Sequence, residues 1–130
     1  MREGGVPIHL DTSFLIRALV AGSREAQTLR DWLRAGRPVA MSTVAWSEFL
    51  CGPLASSDTD LARRVVRTHV ALGIGEAERA ARLFNDTGRR RGSLADCLVA
   101  AAAVMSGAEL ATSDRSDFER FTPLGLSLAE

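Results

Sequence analysis

The chain has 130 residues, enough for one domain with its own core (residues 1–130) and too few for two full ones. Sixteen basic and sixteen acidic residues cancel to zero formal charge, and every basic residue is Arg, because the sequence contains no Lys. That absence excludes a Walker-type phosphate loop and Schiff-base chemistry, and it counts against a response-regulator receiver; neutrality excludes nucleic-acid binding by bulk charge alone.

Val6-Pro7-Ile8-His9-Leu10 reads as a short strand, stopped by Asp11-Thr12-Ser13 at a helix start. Phe14, Leu15, Ala18 and Leu19 then recur at helical spacing until Gly22. Ser23 opens a second amphipathic helix that runs to Gly36. Pro38 to Met41 is the next apolar run, and Ser42 caps a helix from Thr43 to Cys51. Residues 57–68 predict a helix with an arginine face, followed by a strand over His69 to Leu72. Glu76 to Arg91 is expected to be helical, closed by Arg89-Arg90-Arg91. After Gly92, Ser93 starts an Ala-rich helix that ends at Ser106-Gly107. Glu109 to Thr112 is a strand, Asp114 to Phe121 a short helix, and Leu124 to Leu128 a last strand. Strands alternating with helices predict an α/β fold with a parallel sheet covered on both faces.

Composition adds little chemistry of its own. Cys51 and Cys97 sit in apolar helical patterns and read as buried, reduced thiols. With His9 and His69 they show no zinc spacing. The longest apolar stretch, Cys97 to Met105, is far short of the ~20 residues that span a bilayer. A cytoplasmic protein without a membrane segment is expected.

The acids are more telling, because ligands of an open parallel sheet bind beyond the carboxyl ends of its strands. Asp11 follows the first strand, and Asp114 and Asp117 follow the strand that ends at Thr112. Asp96 falls in the first turn of one helix and Glu48 within another. Each has an ordinary explanation when taken alone. Asp11 and Asp114 suit helix N-caps, and Ser93-Leu94-Ala95-Asp96 resembles a capping box. Glu48 lies too deep in its helix to cap it, and a carboxylate buried there without a partner would be costly.

Taken together, carboxylates ~5 Å apart repel by roughly 3 kcal/mol per pair at an effective dielectric of ~20. Such a cluster needs raised pKa values, partnering Arg or a bound cation. Mg2+ and Mn2+ prefer carboxylate and water oxygens, and such a site can hold a phosphodiester and lower the pKa of an attacking water. The acids therefore point to metal-assisted phosphodiester hydrolysis. A phosphatase of the haloacid dehalogenase type would need Asp-x-Asp after the first strand, and Ser13 stands at the second position.

Four segments resemble those of PIN-domain ribonucleases, in particular the toxins of VapBC-type toxin–antitoxin pairs. They are Leu10-Asp11-Thr12-Ser13-Phe14-Leu15-Ile16, then Ser42 to Gly52 around Glu48, Leu94 to Ala101 around Asp96, and Ala111 to Phe118 around Asp114 and Asp117. All four occur in family order across nearly the whole chain. The resemblance implies a three-layer α/β/α sandwich with a short parallel sheet. It implies Asp11 and Asp96 as principal ligands of Mg2+ or Mn2+, with Glu48 and Asp114 completing the acidic pocket. Thr12 and Thr112 would offer hydroxyls to the site or simply start a helix and end a strand.

Asp114 and Asp117 both suit the fourth acidic position. Asp114 is nearer the strand end, which leaves Asp117 a supporting or capping part. The resemblance further implies an RNA substrate, a homodimer and an inhibitory antitoxin protein. Arg89, Arg90 and Arg91 read either as a solvated helix end or as a phosphate clamp that draws RNA toward the acids. A PIN-like module without catalysis, which only binds RNA or a partner, is the alternative from another class. Trp32 and Trp46 are expected in the core or an interface.

Overall fold

A computed structural model describes residues 5–91 and 93–130. The expected α/β arrangement is present. Five parallel strands, β1 (Ile8–Leu10), β2 (Val39–Ser42), β3 (Thr68–Val70), β4 (Glu109–Ala111) and β5 (Ser127–Leu128), lie in the order β3-β2-β1-β4-β5. β1 is central, with Ile8 beside Val39 of β2 and beside Glu109 of β4. Every residue of β1 and β2 is buried, so helices cover both faces. Helices α1 (Thr12–Ala18) and α2 (Arg24–Arg34) pack on each other, as do α5 (Ile74–Asp86) and α6 (Leu94–Met105). Between these pairs come α3 (Thr43–Leu50) and α4 (Ser56–Val65), and α7 (Arg115–Phe118) follows β4.

The strands are short because the caps come early. Asp11, Ser23 and Ser42 each accept a backbone N–H three residues on, which turns the chain into α1, α2 and α3. The Ala100 to Ala103 run is fully buried, and its small side chains let α6 lie close to its neighbours. Phe49, Phe121, Ile8, Leu10, Leu15 and Met41 fill the centre, with Trp32 and Trp46 packed against it.

Several expectations change. The helix over Glu76 to Arg91 ends at Asp86: Gly88 takes φ +90° and the Arg89 N–H reaches back to the Phe84 carbonyl at 2.9 Å. That is a glycine-stopped helix end, so Arg89, Arg90 and Arg91 lie beyond the helix and do not close it. The helix expected over 57–68 stops at Val65, where the chain must straighten into β3. Leu124 belongs to a 3-10 segment, Glu119–Leu124, and only Ser127 and Leu128 remain as strand. Cys51 is exposed rather than buried, because it caps the end of α3 where the chain turns at Gly52; Cys97 is buried. No helix among the described residues is long and apolar enough to cross a membrane.

His9 is the polar residue inside the central strand. It is 2% exposed, its Nδ1 has no partner, and burial pushes its pKa down to about 4. Between pH 6.5 and 4 the unfolded chain binds a proton that the folded chain refuses, so stability is full above pH 6.5 and falls below it. The loss from this residue should reach roughly 3 kcal/mol by pH 4. Urea unfolding of the wild type and His9→Leu at pH 7 and pH 4 should show a stability gap that moves in favour of the variant on acidification. A gap independent of pH would refute the assignment.

Candidate active site

Beyond the carboxyl ends of β1 and β4, a recess of about 160 Å3 is lined by Asp11, Thr12, Ser13, Glu48, Asp96, Asp114, Asp117 and Phe118. The five acids singled out in the sequence thus share one place, although they come from four separate stretches of chain.

Asp11 is its anchor. Its Oδ1 accepts the Phe14 N–H at 2.9 Å and the Ser13 hydroxyl at 2.8 Å, while Oδ2 accepts the Thr112 hydroxyl at 2.5 Å. Capping and site membership are therefore not alternatives here, since one carboxylate does both. Thr112 Oγ1 in turn accepts the Asp114 N–H at 3.0 Å, so the residue after β4 ties Asp11 to the start of the Asp114 turn. Burial raises the pKa of Asp11, outweighing the hydrogen bonds from Thr112, Phe14 and Ser13; the Asp114 charge adds to the rise.

Glu48 projects from α3 and is exposed at the rim, not buried as its apolar neighbours suggested. The walls still take enough water from its carboxylate to raise its pKa, opposed by the Thr12 hydroxyl at 3.5 Å and reinforced by Asp11. Thr12 also donates to the Ala45 carbonyl at 2.9 Å, which fixes α1 against α3.

Asp96 departs most from its sequence reading. No capping box forms: the Ser93 hydroxyl donates backward to the Arg90 carbonyl at 2.7 Å and does not cap α6. With no capping duty, Asp96 lines the recess. Its carboxyl is pushed up to about 6, by burial first, then by the Asp117 charge, with Arg120 opposing and Glu48 and Asp11 adding to the rise. Asp114 starts α7 without a side-chain cap bond, and Asp117 lies one turn on.

Two participants escaped the sequence reading. Ser13 binds Asp11 and also accepts the Ser113 N–H at 3.0 Å, bridging α1 to the end of β4. Its position two residues after Asp11, in the first helical turn, was the available signal. Arg120 brings Nη2 to 3.8 Å from Asp96 Oδ2, and it follows Asp117 at helical spacing. The arginine triplet divides. Arg90 and Arg91 border a neighbouring recess, whereas Arg89 turns to Asn85 with an Nε–Oδ1 hydrogen bond of 3.1 Å.

Among the described residues, no three His, Cys, Asp or Glu side chains converge closely enough to enclose a metal ion by themselves. The donor set nonetheless fits a hard cation of the Mg2+ kind, which uses one or two carboxylates and keeps water on its other positions. The metal-donor atoms that face the recess are all oxygens, those of Asp11, Thr12, Ser13, Glu48, Asp96, Asp114 and Asp117.

A parallel sheet with acids gathered past its carboxyl edge places the site where open α/β folds bind their ligands. Residues 8–122 match the model of the PIN domain family, and the chain belongs to that family. Among solved structures, the chain is similar to VapBC2 from Rickettsia felis bound to a promoter DNA fragment (17% identity, TM-score 0.74, 94% of this chain and 96% of that one). It is also similar to DNA-bound VapBC from Salmonella typhimurium (16%, 0.73, 95% and 97%) and to a toxin-antitoxin complex from Klebsiella pneumoniae (26%, 0.66, 85% and 89%). No curated protein matches the sequence.

Removing the Asp96 charge should stabilise the protein. A folded pKa raised from 3.8 to about 6 means that ionising Asp96 costs folding energy above pH 6, and that this cost fades as pH falls toward 4. Asp96→Asn should therefore have a higher Tm than the wild type at pH 8 and nearly the same Tm at pH 4, as read by thermal melts. A lower Tm at pH 8 would show that the Arg120 pairing outweighs the repulsion.

Proposed function

We propose that this chain is a divalent-metal-dependent endoribonuclease and the toxin of a VapBC-type toxin–antitoxin pair. The observation that carries the reading is the recess that Asp11, Glu48, Asp96, Asp114 and Asp117 line together, with Arg120 beside Asp96. Membership of the PIN domain family and similarity to complexes described as VapBC or toxin–antitoxin support it.

Asp11, Asp96 and Asp114 would hold Mg2+ or Mn2+. A bound cation would neutralise the acids, hold a phosphodiester and activate water toward it. Asp11 is oriented by Thr112 and Ser13, so its carboxylate enters the site in one rotamer. Glu48 stands at the rim, where a carboxylate with a raised pKa can take a proton from the attacking water. Thr12 positions Glu48, Thr112 positions Asp11, and Asp117 adds its negative charge beside Asp96. Arg90 and Arg91 would meet RNA phosphate; Arg89, bonded to Asn85, is a weaker candidate. Residues 1–130 would act as one domain, in a cytoplasmic homodimer inhibited by a cognate antitoxin.

Asp96→Asn should abolish cleavage of RNA in Mg2+ or Mn2+ while leaving a folded protein by circular dichroism. Undiminished cleavage by the variant would sink the proposal. If metal raises the Tm of the wild type but no RNA is cut, the chain is instead a binding module without catalysis.

A further inference from the structure

Beside the acidic recess lies a second one of about 170 Å3, bordered by Arg90, Arg91, Ser93, Asp96, Asp117 and Arg120. The two recesses share Asp96 and Asp117 as a common wall. On one side of that wall five carboxylates face one another; on the other, three guanidinium groups face two carboxylates.

Arg120 is built into this second recess. Its side chain is only 17% exposed, and its guanidinium carbon sits 4.3 Å from the centroid of the Phe121 ring. Nη1 donates to the Asp117 carbonyl, while Nη2 stays 3.8 Å from Asp96 Oδ2, too far for a hydrogen bond, and Nε is buried without a partner. A guanidinium offers five N–H donors. Here the ring and one carbonyl hold the group in place, and most of those donors have no partner among the described residues. Arg90 and Arg91 are exposed and reach the same recess from the segment after α5.

We propose that this recess binds a second RNA phosphate, the one neighbouring the phosphate at the acids, with Arg120 as its fixed ligand and Arg90 and Arg91 as its outer ones. The proposal rests on the ribonuclease reading of the acidic recess. At 3.8 Å the Arg120 Nη2 makes no hydrogen bond to Asp96, so its donors are available to a non-bridging phosphate oxygen. Two adjacent phosphates are then held on opposite sides of one carboxylate wall, and the strand has one path across it. This explains how a chain of zero net charge can attract a polyanion to an acidic site: the arginines stand next to the acids, not among them.

The test measures binding of a short single-stranded RNA, by fluorescence anisotropy in EDTA between 50 and 200 mM salt, for the wild type, Arg120→Gln, Arg120→Lys and an Arg90→Gln/Arg91→Gln double variant. Each lost phosphate contact should flatten the plot of log affinity against log salt by about 0.7. Arg120→Gln should bind several-fold more weakly with that shallower slope. Arg120→Lys should recover the slope, which loss of packing on Phe121 alone would not allow. The double variant should weaken binding and flatten the slope as well. A wild type that cleaves RNA, with an Arg120→Gln variant of unchanged affinity and slope, would overturn the second site and leave the ribonuclease reading standing. A wild type that neither cleaves nor binds RNA would remove both.

Discussion

The arrangement depends on what Asp11 does with its two oxygens. One starts α1 by accepting the Phe14 N–H, and the other takes the Thr112 hydroxyl from the end of β4. The same carboxylate therefore ends a strand, begins a helix and joins two neighbouring strands at the edge where a parallel sheet opens. Each bond is ordinary in strength, about 1 kcal/mol net, or somewhat more where the acceptor is charged. Their combined effect is positional. They hold a buried anion in one orientation against a desolvation cost that the raised pKa registers.

Around that anchor the protein tolerates charge that it does not neutralise internally. Burial of each acid and the fields of its neighbours act in the same direction at Asp11, Glu48 and Asp96, and the compensating groups are hydroxyls, the Phe14 N–H and one guanidinium that stays 3.8 Å from its carboxylate. Stability is given up locally at the site and recovered in the core of Ile8, Leu10, Leu15, Met41, Phe49 and Phe121 beneath it. Strain of this kind at a functional edge over a well-packed sheet is the usual division of labour in α/β folds.

Where the acids fall was legible because it follows from two local signals, a short apolar run and the polar residue that stops it. Asp11 after Leu10, and Asp114 and Asp117 after Thr112, needed only the rule that ligands meet a parallel sheet at its carboxyl edge. The order of the strands was beyond such reasoning, since local pattern does not say that β1 lies between β2 and β4. Helix ends were misjudged where charge hid a stop. Arg89 to Arg91 looked like a continuation of α5, although Gly88 already carried the signal that ends it. Asp96 and Glu48 were placed on the correct helices, but their surroundings were not: Ser93 turns away from α6, and Glu48 faces water. Arg120 was invisible because its importance comes from Phe121 beneath it and Asp96 across from it, contacts that only the tertiary fold creates.

The hydrogen bond between Asp11 and Thr112 joins residues 101 positions apart. Synthesis delivers the chain from its N-terminus, and sequence-distant pairings are the slow part of folding. Until Glu109–Ala111 settles beside Ile8–Leu10, Asp11 has no Thr112, and Asp114 and Asp117 have no sheet edge to stand on. A nascent chain that ends before β4 already carries Asp11, Glu48 and Asp96, yet nothing gathers them with the remaining acids. The acidic recess therefore cannot form until β4 has been made and has settled beside β1.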